Sequence, residues 1–148
     1  MNEHPFIYLE DCFGEKVKID KKISELLKLI WNLDLYTLNS CQENKPGKIW
    51  IHFIDTDNAE RFLKLILSKI TDMKKYNYLY SRILNDHSFD ESLLWEYDII
   101  LDDFRDAFDI KKESWYTDFN KPCDIGLSVS IRFPISDYKT LCDILKDK

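Results

Sequence analysis

The fold of this chain is decided by the stretch Lys48-Ile49-Trp50-Ile51-His52-Phe53-Ile54, in which strictly apolar residues recur at every second position. A period of two is the pattern of a β-strand with one face in a core. Immediately afterwards, Thr56 or Asp57 can cap a helix that runs from Asn58 to about Ile70. The stretch therefore predicts a strand that leads directly into an amphipathic helix.

A similar unit recurs 80 residues later in the chain. Its strand ends at Phe133 as the first ends at Phe53, and Ser136-Asp137 then takes the position of Thr56-Asp57. Strand-to-helix caps favour such residues, so the match does not require a gene duplication. It predicts two similar strand–helix units that pack on one sheet.

Patterns on either side complete the predicted order of elements. We expect strands at residues 14–20, 35–41, 95–101 and 125–133, a turn at 42–47, and helices at 21–33, capped by Asp20, and from Pro134 onwards. Residues 71–85 fit a tyrosine-rich strand and a helix equally well, and residues 102–119 show no clear pattern.

These elements indicate an α+β fold built on a single mixed or antiparallel sheet with the helices on one face. The first half, β-α-β-β-α, has the element order of a ferredoxin-like fold, and the second half adds further strands and a C-terminal helix. With 148 residues, 45% of them hydrophobic, and three glycines, the chain is expected to form one domain over residues 1–148.

Composition argues against several classes of function. The net charge of −6 disfavours direct binding of nucleic acid or of an anionic membrane, because both attract positive surfaces. The absence of a signal-peptide pattern predicts a cytoplasmic protein with reduced thiols. The four cysteines include no CxxC pair and the three histidines are scattered, so neither a metal site nor a cofactor is predicted.

One cysteine stands out because it ends a predicted strand where the chain enters a turn. It lies in Asn39-Ser40-Cys41-Gln42, and the next strand carries Trp50 and His52. A Cys41–His52 pair would lower the thiol pKa and create a nucleophile, in a pocket lined by Asn39, Ser40 and Trp50. Pairing about the centre of the hairpin sets Cys41 opposite Ile49, so that Cys41 and His52 meet only if the register shifts. A small structural thiol is the favoured interpretation.

This region resembles a group of small uncharacterised bacterial and phage-type proteins. The resemblance is carried by a helix ending in Leu29-Ile30-Trp31, by the Thr-x-x-Ser-Cys-Gln pattern of residues 37–42, and by the closing Arg132-Phe133-Pro134. It implies no activity. The Ser40-Cys41 element also resembles the Thr-x-Ser-Ser-Cys segment of wybutosine-synthesis methyltransferases of transfer RNA, although Gln42-Glu43-Asn44 replaces the Ser-Gly-Arg that follows in that family.

The middle of the chain concentrates negative charge and aromatic rings. Residues 86–109 contain nine acidic residues against one arginine, interleaved with tryptophan, tyrosine and phenylalanine. A face of this kind would imitate nucleic-acid charge toward a basic protein and supply aromatic anchors. The anchors expected from this pattern are Trp95, Asp98, Asp102, Asp103, Asp106 and Trp115.

Two functions of different classes follow. The leading hypothesis is a non-enzymatic acidic binding or inhibitor protein of the toxin-immunity or phage-encoded type, with a protein as its partner. The alternative is a small-ligand binder or enzyme built around Cys41 and His52, with an RNA-related role. A third possibility is a homodimer that buries the tyrosine-rich strand at the edge of its sheet. A solvated acidic loop above core aromatic residues is the structural explanation that competes with the first hypothesis.

Overall fold

The computed structural model describes residues 4–101 and 126–146. The strands are β1 (Phe6–Glu10), β2 (Lys16–Asp20), β3 (Thr37–Lys45), β4 (Lys48–Phe53), β5 (Glu96–Leu101) and β6 (Leu127–Pro134). The helices are α1 (Ser24–Asn32), α2 (Thr56–Ser68), α3 (Met73–Ile83) and α4 (Tyr138–Lys146). Short 3₁₀ turns lie at Lys21–Ile23, Glu91–Leu93 and Ile135–Asp137. The α+β class is confirmed.

The strands of the described residues are antiparallel, one of the two arrangements expected (mixed or antiparallel), but they form two sheets rather than the single one expected. One sheet is β1-β2 and the other has the order β3-β4-β6-β5. The hydrophobic pattern did not reveal β1, which takes β2 as its partner. The pattern shows which face of a strand is buried but not which strand lies beside it. The start β2-α1-β3-β4-α2 keeps the ferredoxin-like element order, while β6 rather than β2 lies next to β4.

The helices pack on one face of the four-stranded sheet, as predicted. That face is apolar and almost inaccessible to solvent along the two central strands, through Ile49, Ile51, Phe53, Ile131 and Phe133. Buried residues from each of the four helices join the same cluster, among them Leu27, Phe62, Leu79 and Leu141. The core therefore lies between the central strands and the helices, and the opposite face of the sheet is left for polar groups.

The two similar strand–helix units lie side by side. Ile51 on β4 is directly opposite Ile131 on β6, so the units are related by an approximate two-fold axis between these residues. Each strand is followed by its helix on the same face of the sheet. The corresponding acidic residues have different environments, because Asp57 is exposed and Asp137 is buried.

The ends of two helices differ from the prediction. The cap of α2 is Asp55, whose side chain accepts a hydrogen bond from the Asn58 amide at 2.8 Å, rather than Thr56 or Asp57. No side-chain cap hydrogen bond is made by Asp20, because its carboxylate accepts one from the Gln42 amide at 2.9 Å instead. An acidic residue before a helix is thus used for a tertiary contact.

Two further segments are longer or of another type than predicted. β3 continues to Lys45, so the turn to β4 shrinks to Pro46-Gly47, with Gly47 at a φ of 74° that glycine tolerates. The tyrosine-rich segment is helix α3, in which Tyr76 and Tyr80 stack one turn apart with ring centroids at 5.4 Å. A dimer through a tyrosine-rich strand is therefore wrong in that form.

Candidate functional site

The face of the four-stranded sheet opposite the helices collects most of the residues predicted for a ligand pocket. The β3–β4 register sets Asn39 opposite His52 and Cys41 opposite Trp50. Irregular pairing between Cys41 and Lys45 moves Cys41 away from the predicted partner Ile49. Ser40 is opposite Ile51 and so belongs to the helix-covered side.

The polar atoms of this face are bonded to each other. The Trp50 indole N–H donates to the Ser130 hydroxyl, and His52 Nε2 lies 2.6 Å from the Ser128 hydroxyl. The Trp50 and His52 rings also stack, with centroids 5.9 Å apart. Both serines are buried. These bonds tie β4 to β6, which is a structural use of the two aromatic rings.

The chemistry of Cys41 does not match that of an activated nucleophile. Burial raises the pKa of its thiol, and the neighbouring Asp20 carboxylate raises it further. Its cross-strand partner is Trp50, and His52 lies two pairs further along β4, opposite Asn39. At neutral pH this cysteine is a protonated thiol, a poor nucleophile.

Trp95 is a core residue and cannot be an anchor on an accessible surface, so that prediction is wrong. Its side chain is 0% exposed and stacks on Phe133 with centroids 5.1 Å apart. Its indole N–H donates to the Asp137 carboxylate at 3.1 Å. Trp95 immediately precedes β5, and its large ring packs into the core although acidic residues surround it in the sequence.

The acidic residues of the described part of residues 86–109 are mostly engaged in local contacts. Asp86 and Asp90 accept hydrogen bonds from the Ser88 and Ser92 amides, which lower the pKa of each carboxyl. Asp98 accepts one from Arg132 at 2.6 Å, and its side chain is 61% exposed. The remaining predicted anchors, Asp102, Asp103, Asp106 and Trp115, lie outside the described residues.

The start of β5 is held firmly by buried cations. Arg82 donates to the Leu93 carbonyl at 3.1 Å, and the Lys48 ammonium donates to the carbonyls of Glu91, at 3.2 Å, and of Leu94. Both cations are buried, and desolvation lowers the pKa of Lys48. These bonds fix the segment before β5 and therefore the direction in which the strand begins.

The far end of β5 is apolar and exposed. β5 is the terminal strand of its sheet, and no strand within residues 4–101 and 126–146 pairs with its outer edge. Ile99, Ile100 and Leu101 are 69%, 37% and 49% exposed. Three consecutive apolar residues on an edge strand form a surface that other chains can bind, and we call this run the β5 edge. The sequence predicts the strand over residues 95–101, but it does not predict that the apolar end of this strand is exposed.

Within residues 4–101 and 126–146, none of the helices combines the length and the hydropathy required to cross a bilayer.

Comparison with known proteins shows a similarity to a viral protein at the sequence level. The chain is 32% identical over 140 residues to an uncharacterized protein of Acanthamoeba polyphaga mimivirus. The aligned region covers 90% of this chain and 64% of the viral protein. The chain thus spans less than two thirds of that protein's length. No protein-family model matches the chain. No solved structure matches it either.

Proposed function

We propose that the protein is a non-enzymatic binding protein that recognises another protein by accepting one of its strands along the β5 edge. The observation that carries the proposal is the exposed run Ile99-Ile100-Leu101 on a terminal strand. Main-chain groups along such an edge supply affinity, and the side chains on its two faces supply specificity.

The contrast between the two terminal strands supports this choice. Natural edge strands are protected by bulges, prolines or charged residues. β3 has two irregularities in its pairing and ends in Glu43-Asn44-Lys45. β5 pairs with β6 in unbroken register, from Glu96 opposite Arg132 to Leu101 opposite Leu127, and its last three residues carry no charge. Within residues 4–101 and 126–146, β5 is therefore the terminal strand whose edge lacks these protections.

The anchored start of β5 supports binding as well. Because Arg82 and Lys48 hold the segment before the strand, little conformational entropy is lost when a partner strand adds to it. The negative net charge favours a partner strand with basic residues beside its apolar ones. The inhibitor and toxin-immunity roles gain no support, since Asp86, Asp90 and Asp98 have local partners.

The test is a charge placed on the edge. Partners are cross-linked in extracts of the source cells, identified by mass spectrometry, purified and titrated against the chain by calorimetry. We expect Ile99→Lys to weaken binding by about tenfold or more, because an edge lysine opposes strand addition. The change should leave the fold intact, since the Ile99 side chain is largely exposed.

Leu38→Lys is the matched control, because Leu38 is 48% exposed on the other terminal strand. We expect it to bind the partner as the wild type does. Hydrogen exchange should slow at the β5 amides that point away from β6 when the partner is bound. Equal affinity of wild type and Ile99→Lys would contradict the proposal. If light scattering shows a dimer that Ile99→Lys disrupts, the partner at the β5 edge is a second copy of the chain rather than another protein.

A further inference from the structure

Folding brings three potential metal ligands together from three separate segments. They are His4, ahead of β1, Asp20, at the end of β2, and Cys41, on β3. One donor atom of each residue, an imidazole nitrogen, a carboxylate oxygen and the thiol sulfur, lies within 4.8 Å of the other two. All three residues are partly buried. Nothing in their sequence spacing indicates a shared site.

Main-chain contacts hold these segments in place. The Gln42 amide, next to Cys41, donates to Asp20 Oδ2 at 2.9 Å, and the Gln42 side chain accepts a hydrogen bond from the Lys22 amide at 3.3 Å. These two bonds fasten the end of β2 to β3. The Lys21 amide donates to the Pro5 carbonyl at 2.8 Å, which keeps the residue after His4 beside the residue after Asp20. These hydrogen bonds from backbone amides therefore hold the three ligand-bearing segments next to one another.

The Cys41 thiol and the Asp20 carboxylate are neighbours, with the sulfur and a carboxylate oxygen within 4.8 Å of each other. A metal ion between them can take the place of the thiol proton, since thiolate and carboxylate are both ligands. The bond from the Gln42 amide to Asp20 would then be an outer-shell contact that orients this ligand.

We propose that His4, Asp20 and Cys41 bind a zinc ion. Imidazole, thiolate and carboxylate form a donor set that Zn²⁺ accepts, and sulfur disfavours the hard ions Mg²⁺ and Ca²⁺. Among the described residues the group supplies three donors, so water or another small molecule completes a tetrahedral set. Binding replaces the thiol proton of Cys41, which passes to the buffer, and no electron is transferred.

The ion would join the two sheets, because Asp20 belongs to β2 and Cys41 to β3. The site goes beyond the proposed binding at the β5 edge and does not depend on it. Its ligands come from the segment ahead of β1, from β2 and from β3, whereas β5 is at the opposite end of the four-stranded sheet. The two proposals therefore fail independently.

The experiment uses the full, reduced chain without a histidine tag, treated with chelator and then titrated with Co²⁺ and with Zn²⁺. We expect one ion per chain, a thiolate-to-Co²⁺ charge-transfer band, and displacement of Co²⁺ by Zn²⁺. Cys41→Ser should abolish the band. His4→Gln and Asp20→Asn should each lower the Zn²⁺ affinity by at least about tenfold, because loss of an outer-shell contact alone costs that much.

Matched controls are Cys12→Ser and His52→Gln. Cys12 is another partly buried cysteine, whose sulfur lies 3.6 Å from the Thr37 carbonyl, outside the cluster. Both controls should retain the band and the affinity. Circular dichroism of each variant without metal verifies that it is folded. If Cys41→Ser unfolds, the test relies on His4→Gln, because His4 lies outside the strands and helices and its replacement should leave the fold intact. The proposal is overturned if the wild type shows no charge-transfer band or if the band survives Cys41→Ser. It is also overturned if Cys12→Ser loses the band to the same extent as Cys41→Ser.

Discussion

The guanidinium of Arg82 donates two hydrogen bonds to the carboxylate of Asp137, at 2.7 and 2.8 Å, between residues 55 positions apart in the chain. Both side chains are buried. The Trp95 indole donates to the same carboxylate, and the Tyr78 ring lies 4.2 Å from the guanidinium carbon. This cluster joins α3, the start of β5 and the turn before α4.

We expect Asp137→Ala to destabilise the protein by about 3–5 kcal/mol, because it leaves the Arg82 charge buried without a counter-ion. The double variant Arg82→Met with Asp137→Leu should lose less stability than the sum of the losses in the two single variants Arg82→Met and Asp137→Leu. Urea unfolding of the wild type, these two single variants and the double variant measures the coupling energy between the two residues.

A surface ion pair provides the comparison. Lys64 lies close to Glu60 one turn earlier on α2, and both side chains are exposed. Glu60→Ala should therefore change the free energy of unfolding much less than Asp137→Ala does. Equal effects of Asp137→Ala and Glu60→Ala would show that the Arg82–Asp137 pair does not support the fold.

Stability should fall in alkaline solution because Tyr97 is largely buried. Burial raises the pKa of its phenol above the ordinary value of 10.0. Above about pH 10 the unfolded chain loses this proton while the native protein keeps it, so the free energy of unfolding decreases as pH rises. Below pH 10 the phenol is protonated in both states and its contribution is fully present. Urea unfolding between pH 7 and pH 11 follows the decrease.

Tyr97→Phe separates this phenol from the other titrating groups. The Tyr97 hydroxyl donates to the Ile83 carbonyl at 2.9 Å, so its removal should cost about 1 kcal/mol at pH 7. Above pH 10 the variant should lose stability less steeply than the wild type, and the gap between them should narrow. Parallel curves would mean that Tyr97 has the same pKa in the folded and unfolded chain.

The cysteines of the described residues should react slowly at neutral pH. Burial raises the thiol pKa of Cys12, Cys41 and Cys142. We expect each to be alkylated by iodoacetamide more slowly than a free thiol at pH 7, with the buried Cys142 slowest. Peptide mass spectrometry follows each site and keeps Cys123, outside the described residues, separate. Rapid labelling of Cys41 near pH 6 would instead favour the enzyme hypothesis.

Local patterns in the sequence were sufficient for most of the fold. Alternation of side chains located β4, β5 and β6, and helical spacing located α1 and α2, because burial of one face leaves a period in the sequence. The same local logic failed for residues 73–83, where three alternating tyrosines fit a strand as well as a helix. It also failed for Asp20, whose carboxylate bonds to the Gln42 amide across the two sheets.

The candidate sites were less accessible to such patterns. The sequence alone established the class of fold, the concentration of acidic residues and the positions of the reactive residue types, since these depend on composition and on neighbours along the chain. The tertiary structure decided that Trp95 is buried, that β5 is a terminal strand, and that His4, Asp20 and Cys41 meet. Those outcomes depend on which strands pair and in which register, and pairing is set by contacts between residues far apart in the chain.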